Sequence, residues 1–347
     1  MTFTPRRIWL HRRSALGDVL LALPIATLLA ERHPHSRPTL VTHTRLVPLL
    51  SRAPTVDATD QWPMPTTSGD IHVDLQRPGW SAALWGRRGL PSGSLLDPVR
   101  RGLGRPTQHD RRHTLTRYAA AVGLGPLTLP VALKPGPLLA VEPDRGEDSS
   151  TVLRIGVAAG ASHPTKAPTP EMLGWLLATL VRTSRRPLRP VWLGGPGDKR
   201  SCHQVTQVGS WRHAAHRHQG LKPDSRALFA DPLGLARIIA GCDRVISGDT
   251  GPAHLAQILD VPTLVLFGPT SVQRWGPWRA SASMFTASAP CSPCSGHGQK
   301  RCRHGHRACL TRLYPTLLQR AALQLLDLRA EEYIRVKAGP DNISSPQ

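Results

Sequence analysis

Apolar positions in this 347-residue chain gather in short runs, separated by glycine- and proline-rich turns and by stretches of helical period. That alternation predicts strands and helices following one another in an α/β protein. Ile8–Leu10 reads as a strand, and VLLALPIATLLAERHP after Asp18 reads as a helix over about 19–31. The helix is apolar on nearly all sides, so it packs against a sheet. Strands at 38–42 and 71–75 and a helix over 46–51 continue the series. Leu127–Ser150 is rich in Pro, Gly and Asp, which places a linker there and separates a domain at 1–140 from one at 151–330. The second series has a strand at 153–158 and a helix opened by Pro170 and Glu171. A strand at 191–193 and helices at 233–240 and 317–328 follow. Residues 211–226, rich in His and Arg without a period, read as a surface loop, and 337–347 as a disordered tail.

The most informative stretch is Val245–Thr270, VISGDTGPAHLAQILDVPTLVLFGPT. An apolar strand runs into a turn of small residues, and Pro252 then sits in the first turn of a helix, where its missing N–H costs nothing. The N–H groups and positive dipole end of that helix, with Thr250 and Gly251 at its entrance, form a seat for a phosphate. His254, one turn in, faces the same ligand. Asp249 would be repelled by a diphosphate and is better suited to accept hydrogen bonds from sugar hydroxyls. An aspartic protease is excluded, because that chemistry needs two carboxylates sharing a proton and the chain has no second Asp-Thr-Gly or Asp-Ser-Gly. Elsewhere, Asp18 stands at a strand-to-helix junction, where it either caps the helix or faces a ligand at the carboxyl end of the sheet. Lys166 brings a point charge to a Gly- and Ser-containing loop. Asp198 closes the strand end Gly194-Gly195-Pro196-Gly197, a place where carboxylates hold ribose hydroxyls.

Charge changes the picture in one respect. Lys and Arg total 44 against 23 acidic residues, a net +21, but the basic residues are scattered and aromatics are only 5%. This weighs against a nucleic-acid stripe and favours an anionic membrane surface or a phosphorylated glycan as partner. No apolar run approaches the ~18–20 residues that span a bilayer, and no cleavage site follows a signal-type core, so a cytoplasmic protein is expected. Cys291, Cys294, Cys302 and Cys309 then read as thiols or metal ligands rather than disulfides. Their C-x2-C-x7-C-x6-C spacing suits a four-coordinate zinc or iron site, structural because four thiolates leave no open position.

The run Asp249-Thr250-Gly251-x-x-His254-Leu255-Ala256, an apolar strand and Phe267-Gly268-Pro269-Thr270 resembles the C-terminal pattern of glycosyltransferase family 9, the bacterial heptosyltransferases. SALGDVLLALP around Asp18 resembles its N-terminal turn, and IHVDLQRPGWS its acceptor-side segment. The resemblance implies a glycosyltransferase B-type fold of two Rossmann-like domains, with the donor on the C-terminal domain, the acceptor on the N-terminal one and the site between them. It implies inverting transfer without a catalytic cofactor. Asp18 would be the base, Lys166 a diphosphate contact, Asp198 a ribose contact, and Gln76 and Arg77 acceptor contacts. The usual donor and acceptor would be ADP-heptose and a lipopolysaccharide core sugar, handled at the inner face of the inner membrane. Where the family has Arg-Trp-Pro after the lysine, this chain has Ala167-Pro168-Thr169. Similar Cys segments occur in several members of the family. Another nucleotide sugar or a protein acceptor would use the same motifs. A non-catalytic, nucleic-acid-associated protein with a cysteine metal knuckle is the reading from a different class, against which the intact Gly17-Asp18-Val19 and Asp249–His254 motifs count. The sequence leaves the oligomeric state open.

Overall fold

The computed structural model describes residues 7–13, 15–61, 70–75, 112–125, 127–131, 133–134, 136–217, 220–287, 289–312, 315–327 and 335–337. The chain divides into two compact units, Met1–Val141 and Glu142–Gln347, the division falling within the Pro- and Gly-rich stretch 127–150.

In the first unit, β1 (Arg7–His11), β2 (Pro38–Val41), β3 (Asp57–Thr59) and β4 (Asp70–Asp74) form a parallel sheet in the order β3-β2-β1-β4. The helix α1 (Leu16–Arg32) buries nine residues, among them Val19 to Ala26 in an unbroken run. Such all-round burial is what its all-round apolar sequence demands. The helix α2 (Thr114–Ala121) packs on α1 and is capped by His113, whose Nδ1 accepts from Leu115 N–H. β3 escaped sequence reading because three residues with two partly exposed carry no period.

The second unit carries β5 (Leu153–Ala158), β6 (Leu188–Trp192), β7 (Arg244–Gly248), β8 (Thr263–Phe267), β9 (Ala282–Thr286) and β10 (Arg335–Lys337). All pair in parallel, in the order β10-β9-β8-β7-β5-β6. β5 and β8 are buried at every position, as parallel strands covered by helices on both faces must be. The helices α3 (Pro170–Thr183), α4 (Lys199–Gln207), α5 (Gly209–Arg217), α6 (Pro232–Ala240), α7 (Gly251–Ile258) and α8 (Pro315–Asp327) cover the sheet. Thr169 caps α3 through its hydroxyl and Asp231 caps α6 through its carboxylate.

Two expectations change. The stretch expected as a loop over 211–226 opens within helix α5. Trp211 and Ala214, three apart, bury one face of it among the residues that α3 contributes to the core. The surrounding His and Arg hid that short apolar stripe. Lys337, expected to open a disordered tail, instead ends a strand paired with β9; 338–347 lie outside the described residues. Among the described residues no helix is long and apolar enough to cross a membrane.

At the entry to β5 the guanidinium of Arg154, 1% exposed, donates to Asp148, Asp224 and the Arg145 carbonyl. Arg189 also reaches Asp148, and Arg226 reaches Asp224. Removing the shared cation would leave two sheltered carboxylates facing each other. Arg154→Met should therefore lower stability by ~3 kcal/mol or more in a urea titration; an unchanged midpoint would show that the outer arginines carry the network.

Candidate active site

In the sheet of the second unit β5 and β7 are neighbours, but their chains depart in opposite directions. β5 leads through α3 to β6 on one side, and β7 leads through α7 to β8 on the other. The carboxyl ends of such a strand pair open a crevice, the place where open α/β sheets bind ligands. The loop leaving β5 carries Lys166, and the turn leaving β7 carries Asp249, Thr250 and Gly251. A Cβ on Gly248 would lie 2.6 Å from the Lys166 carbonyl oxygen, so a glycine is what lets these two backbones approach.

Lys166 Nζ stands 3.2 Å from Asp249 Oδ2, and His254 Nε2 stands 3.5 Å from Asp249 Oδ1. The carboxylate is 4% exposed. Burial by itself would raise its pKa; the His254 imidazole and the Lys166 charge outweigh burial and hold it down at about 2. The fold brings these three residues to one place, and the carboxylate that the sequence offers to sugar hydroxyls faces two basic groups. Thr250 is the N-cap of α7 but does not cap it, its hydroxyl lying 3.0 Å from Ser247 Oγ. The first turn, opened by Gly251 and Pro252, thus keeps its positive end without a side-chain cap. Among the described residues the buried Nδ1 of His254 has no hydrogen-bond partner.

Asp198 sits beyond β6, at the end of a short 3-10 turn Pro196–Asp198. Its Oδ2 accepts from Gly195 N–H at 2.9 Å. A Cβ on Gly160 would fall on the Asp198 carboxylate, so Asp198 lies against the loop from β5 and hence on the same edge as Lys166.

In the first unit Asp18 is the third residue of α1. Ala15 is the N-cap, so the capping reading of Asp18 fails. Its Oδ2 instead meets Arg12 Nη2 at 2.8 Å, with 16% of the side chain exposed. Arg12 follows β1, and β1 with β4 forms the corresponding reversal of strand order in this sheet. Gln76 and Arg77, which follow Leu75, lie outside the described residues.

Sequence reading missed a pair of buried imidazoles behind this turn. His11 Nε2 and His72 Nδ1 are 3.3 Å apart, and His72 also stacks on Trp9. Burial, chiefly, pushes His11 down to about 3 and His72 to about 4. Nothing in the spacing of positions 11 and 72 announces the contact, which needs the β1–β4 pairing.

The four C-terminal cysteines share one pocket with Thr165, Pro269, Gln299, His306 and Arg307, and all are free thiols. The backbone N–H groups of Arg307 and His304 lead those that pull the Cys302 thiol below its ordinary pKa. Among the described residues, however, no group of three or more His, Cys, Asp or Glu side chains is set to hold a metal ion. The four thiols line one pocket without being set for coordination among the described residues, so no metal is assigned to them and no step is routed through one.

Two outcomes follow from these geometries. Asp249→Asn should strand Lys166 and cost ~3 kcal/mol in chemical unfolding; full stability would mean that the pair contributes nothing. The histidine pair is neutral in the folded unit, so unfolding takes up protons below the ordinary value of 6.5. Stability should be at its full value above about pH 6.5 and fall as the pH drops towards 4, by up to ~1.4 kcal/mol per pH unit for each proton taken up. His72→Phe should flatten that slope in urea titrations at stepped pH, and an unaltered slope would place its origin elsewhere.

Comparison with known proteins fits this geometry. Residues 233–304 match the model of glycosyltransferase family 9 (heptosyltransferase). Lipopolysaccharide heptosyltransferase 1 of Pseudomonas aeruginosa is 37% identical over 148 residues, 37% of this chain and 40% of that protein; the match thus spans well under two thirds of its length. Among solved structures, a family 9 glycosyltransferase of Veillonella parvula superposes with a TM-score of 0.67 at 22% identity, covering 94% of this chain and 98% of that one. E. coli heptosyltransferase WaaC, solved with ADP, gives 0.58 at 16% identity, with 92% and 99% covered. Together with the two parallel-sheet units, these likenesses show the glycosyltransferase B-type fold. The stretch that builds the Asp249–His254 turn thus lies within the part of the chain that matches the glycosyltransferase family 9 (heptosyltransferase) model.

Proposed function

We propose that this protein is an inverting glycosyltransferase that moves heptose from ADP-heptose to a lipopolysaccharide core sugar. The observation that carries the reading is the buried Lys166–Asp249–His254 constellation at the strand-order reversal of the second unit, beside the uncapped start of α7. That combination supplies a held cation, a helix dipole and backbone N–H groups to one anion, which suits a sugar-nucleotide diphosphate. His254 Nδ1, buried and unpartnered, is a further group that a bound donor would satisfy.

In this reading Asp18 takes the proton from the acceptor hydroxyl as the oxygen bonds to the anomeric carbon. The bond from that carbon to the diphosphate oxygen breaks on the opposite face, and ADP leaves with the electron pair. Arg12, paired with Asp18, orients the carboxylate. Lys166, the Thr250–Gly251 turn and the α7 dipole stabilise the charge that develops on the leaving diphosphate, a task that many transferases give to a divalent cation. Asp249 keeps Lys166 and His254 in place and reaches a donor-sugar hydroxyl by sharing an oxygen already paired. Asp198, on the same edge, takes the ribose, and Gln76 and Arg77 take the acceptor. The net +21 suits an anionic glycolipid acceptor at the inner face of the inner membrane.

Asp18→Asn should lower the transfer rate from ADP-heptose to a truncated core acceptor by ~10²–10⁴ while ADP binding persists. A variant that transfers at the normal rate would remove Asp18 from the role of base.

A further inference from the structure

The cysteine-rich segment has a mechanical relation to the lysine loop that its composition does not suggest. Its near end is fastened at the exit of β8. Ser292 Oγ donates to the Gly268 carbonyl at 2.7 Å, and the N–H groups of Cys294 and Ser295 both reach the Pro269 carbonyl at 2.9 Å. Trp275 Nε1 holds the Gly296 carbonyl at 2.9 Å. From there the chain crosses to the loop after β5. Gln299 N–H donates to Thr165 Oγ1 and the Gln299 carbonyl accepts from it, both at 2.8 Å, while Thr165 N–H reaches the same carbonyl at 3.3 Å. Further on, Arg307 Nη2 donates to the Ala167 carbonyl at 2.7 Å. The residues on both sides of Lys166 are thus held from outside their own loop.

Gly298 completes the contact. Its φ is +90°, and a Cβ there would lie 2.6 Å from Lys166 Cδ and 2.7 Å from Lys166 Cγ. The backbone of the segment therefore lies directly on the lysine's methylenes and leaves Nζ aimed at Asp249. Four thiols line the pocket behind these contacts with Thr165, Gln299 and Arg307, so the packing of that pocket and the position of the lysine loop are shared.

We propose that the segment from Ser292 to Arg307 is a clamp that positions Lys166 for a nucleoside diphosphate, with Thr165, Gly298 and Arg307 as its positioning residues. The inference rests on the diphosphate site proposed above and adds that the site is incomplete without this segment. A clamp acting through Lys166 should govern affinity for the phosphates and leave the nucleoside untouched.

The test is calorimetric titration of the full chain with ADP and with adenosine. Thr165→Val, which loses both hydroxyl hydrogen bonds, and Gly298→Ala, which drives a methyl group into Lys166, should each raise the Kd for ADP by ~5–30-fold with the Kd for adenosine unchanged. Thr165→Ser should restore ADP affinity. Wild-type ADP affinity in both Thr165→Val and Gly298→Ala, or an equal loss for ADP and adenosine, would overturn the clamp. Should these variants fail to fold, the wild-type chain can be alkylated with N-ethylmaleimide at Cys302, the thiol of the four whose pKa is lowered, with the modified residue verified by mass spectrometry. Alkylation should weaken ADP and spare adenosine, whereas unchanged ADP affinity would overturn the proposal. A wild-type chain that binds neither ADP nor adenosine would instead overturn the donor site on which the clamp rests.

Discussion

The ion pair between Lys166 and Asp249 is the constraint on which the second unit's chemistry depends. A carboxylate this sheltered is tolerable only if cationic or hydrogen-bonding groups face it, and both of its oxygens meet such groups. The pairing demands that two loops from separate strands stand within reach at the same edge. It also demands a glycine at 248, where the chain passes against the Lys166 carbonyl. The parallel pairing of β5 with β7 meets the first demand, because it puts both strand ends on one side of the sheet. Local sequence at the Asp-Thr-Gly turn and long-range topology thus converge on the same few ångströms.

The two units repeat one structural idea with different chemistry. Each is a parallel sheet whose strand order reverses beside its first strand, and each puts a carboxylate near that reversal. In the first unit Asp18 lies in the first turn of α1, partly exposed and paired with Arg12. In the second, Asp249 is buried and held twice. The first carboxylate is partly open to solvent, whereas the second is sheltered between two basic groups.

Much of this was legible in the sequence, for identifiable reasons. The strand at 153–158 and the helix from Pro170 are set by local rules, an apolar run and a proline-plus-cap start, and both appear where those rules put them. Asp249 and His254 were legible from turn chemistry, and Lys166 from the family resemblance of the loop that carries it. Three features were hidden. α5 was masked by the charges around Trp211 and Ala214, since a two-residue stripe is too short to set a period. The His11–His72 contact depends on which strands are neighbours. The hold of Gln299 and Arg307 on the lysine loop pairs one side-chain group with one backbone group in each bond, and the backbone partner leaves no mark on side-chain pattern. The cysteines drew attention to a metal, while their neighbours carry the contacts with the lysine loop.

The most direct measurement is titration calorimetry of the purified chain with ADP, UDP and GDP, without added divalent cation, for the wild type and for Lys166→Ala. The account predicts binding selective for ADP in the wild type and its loss in the variant, because the lysine is the point charge on the diphosphate. Equal ADP affinity in both proteins, or no binding of any of the three nucleotides, would contradict it.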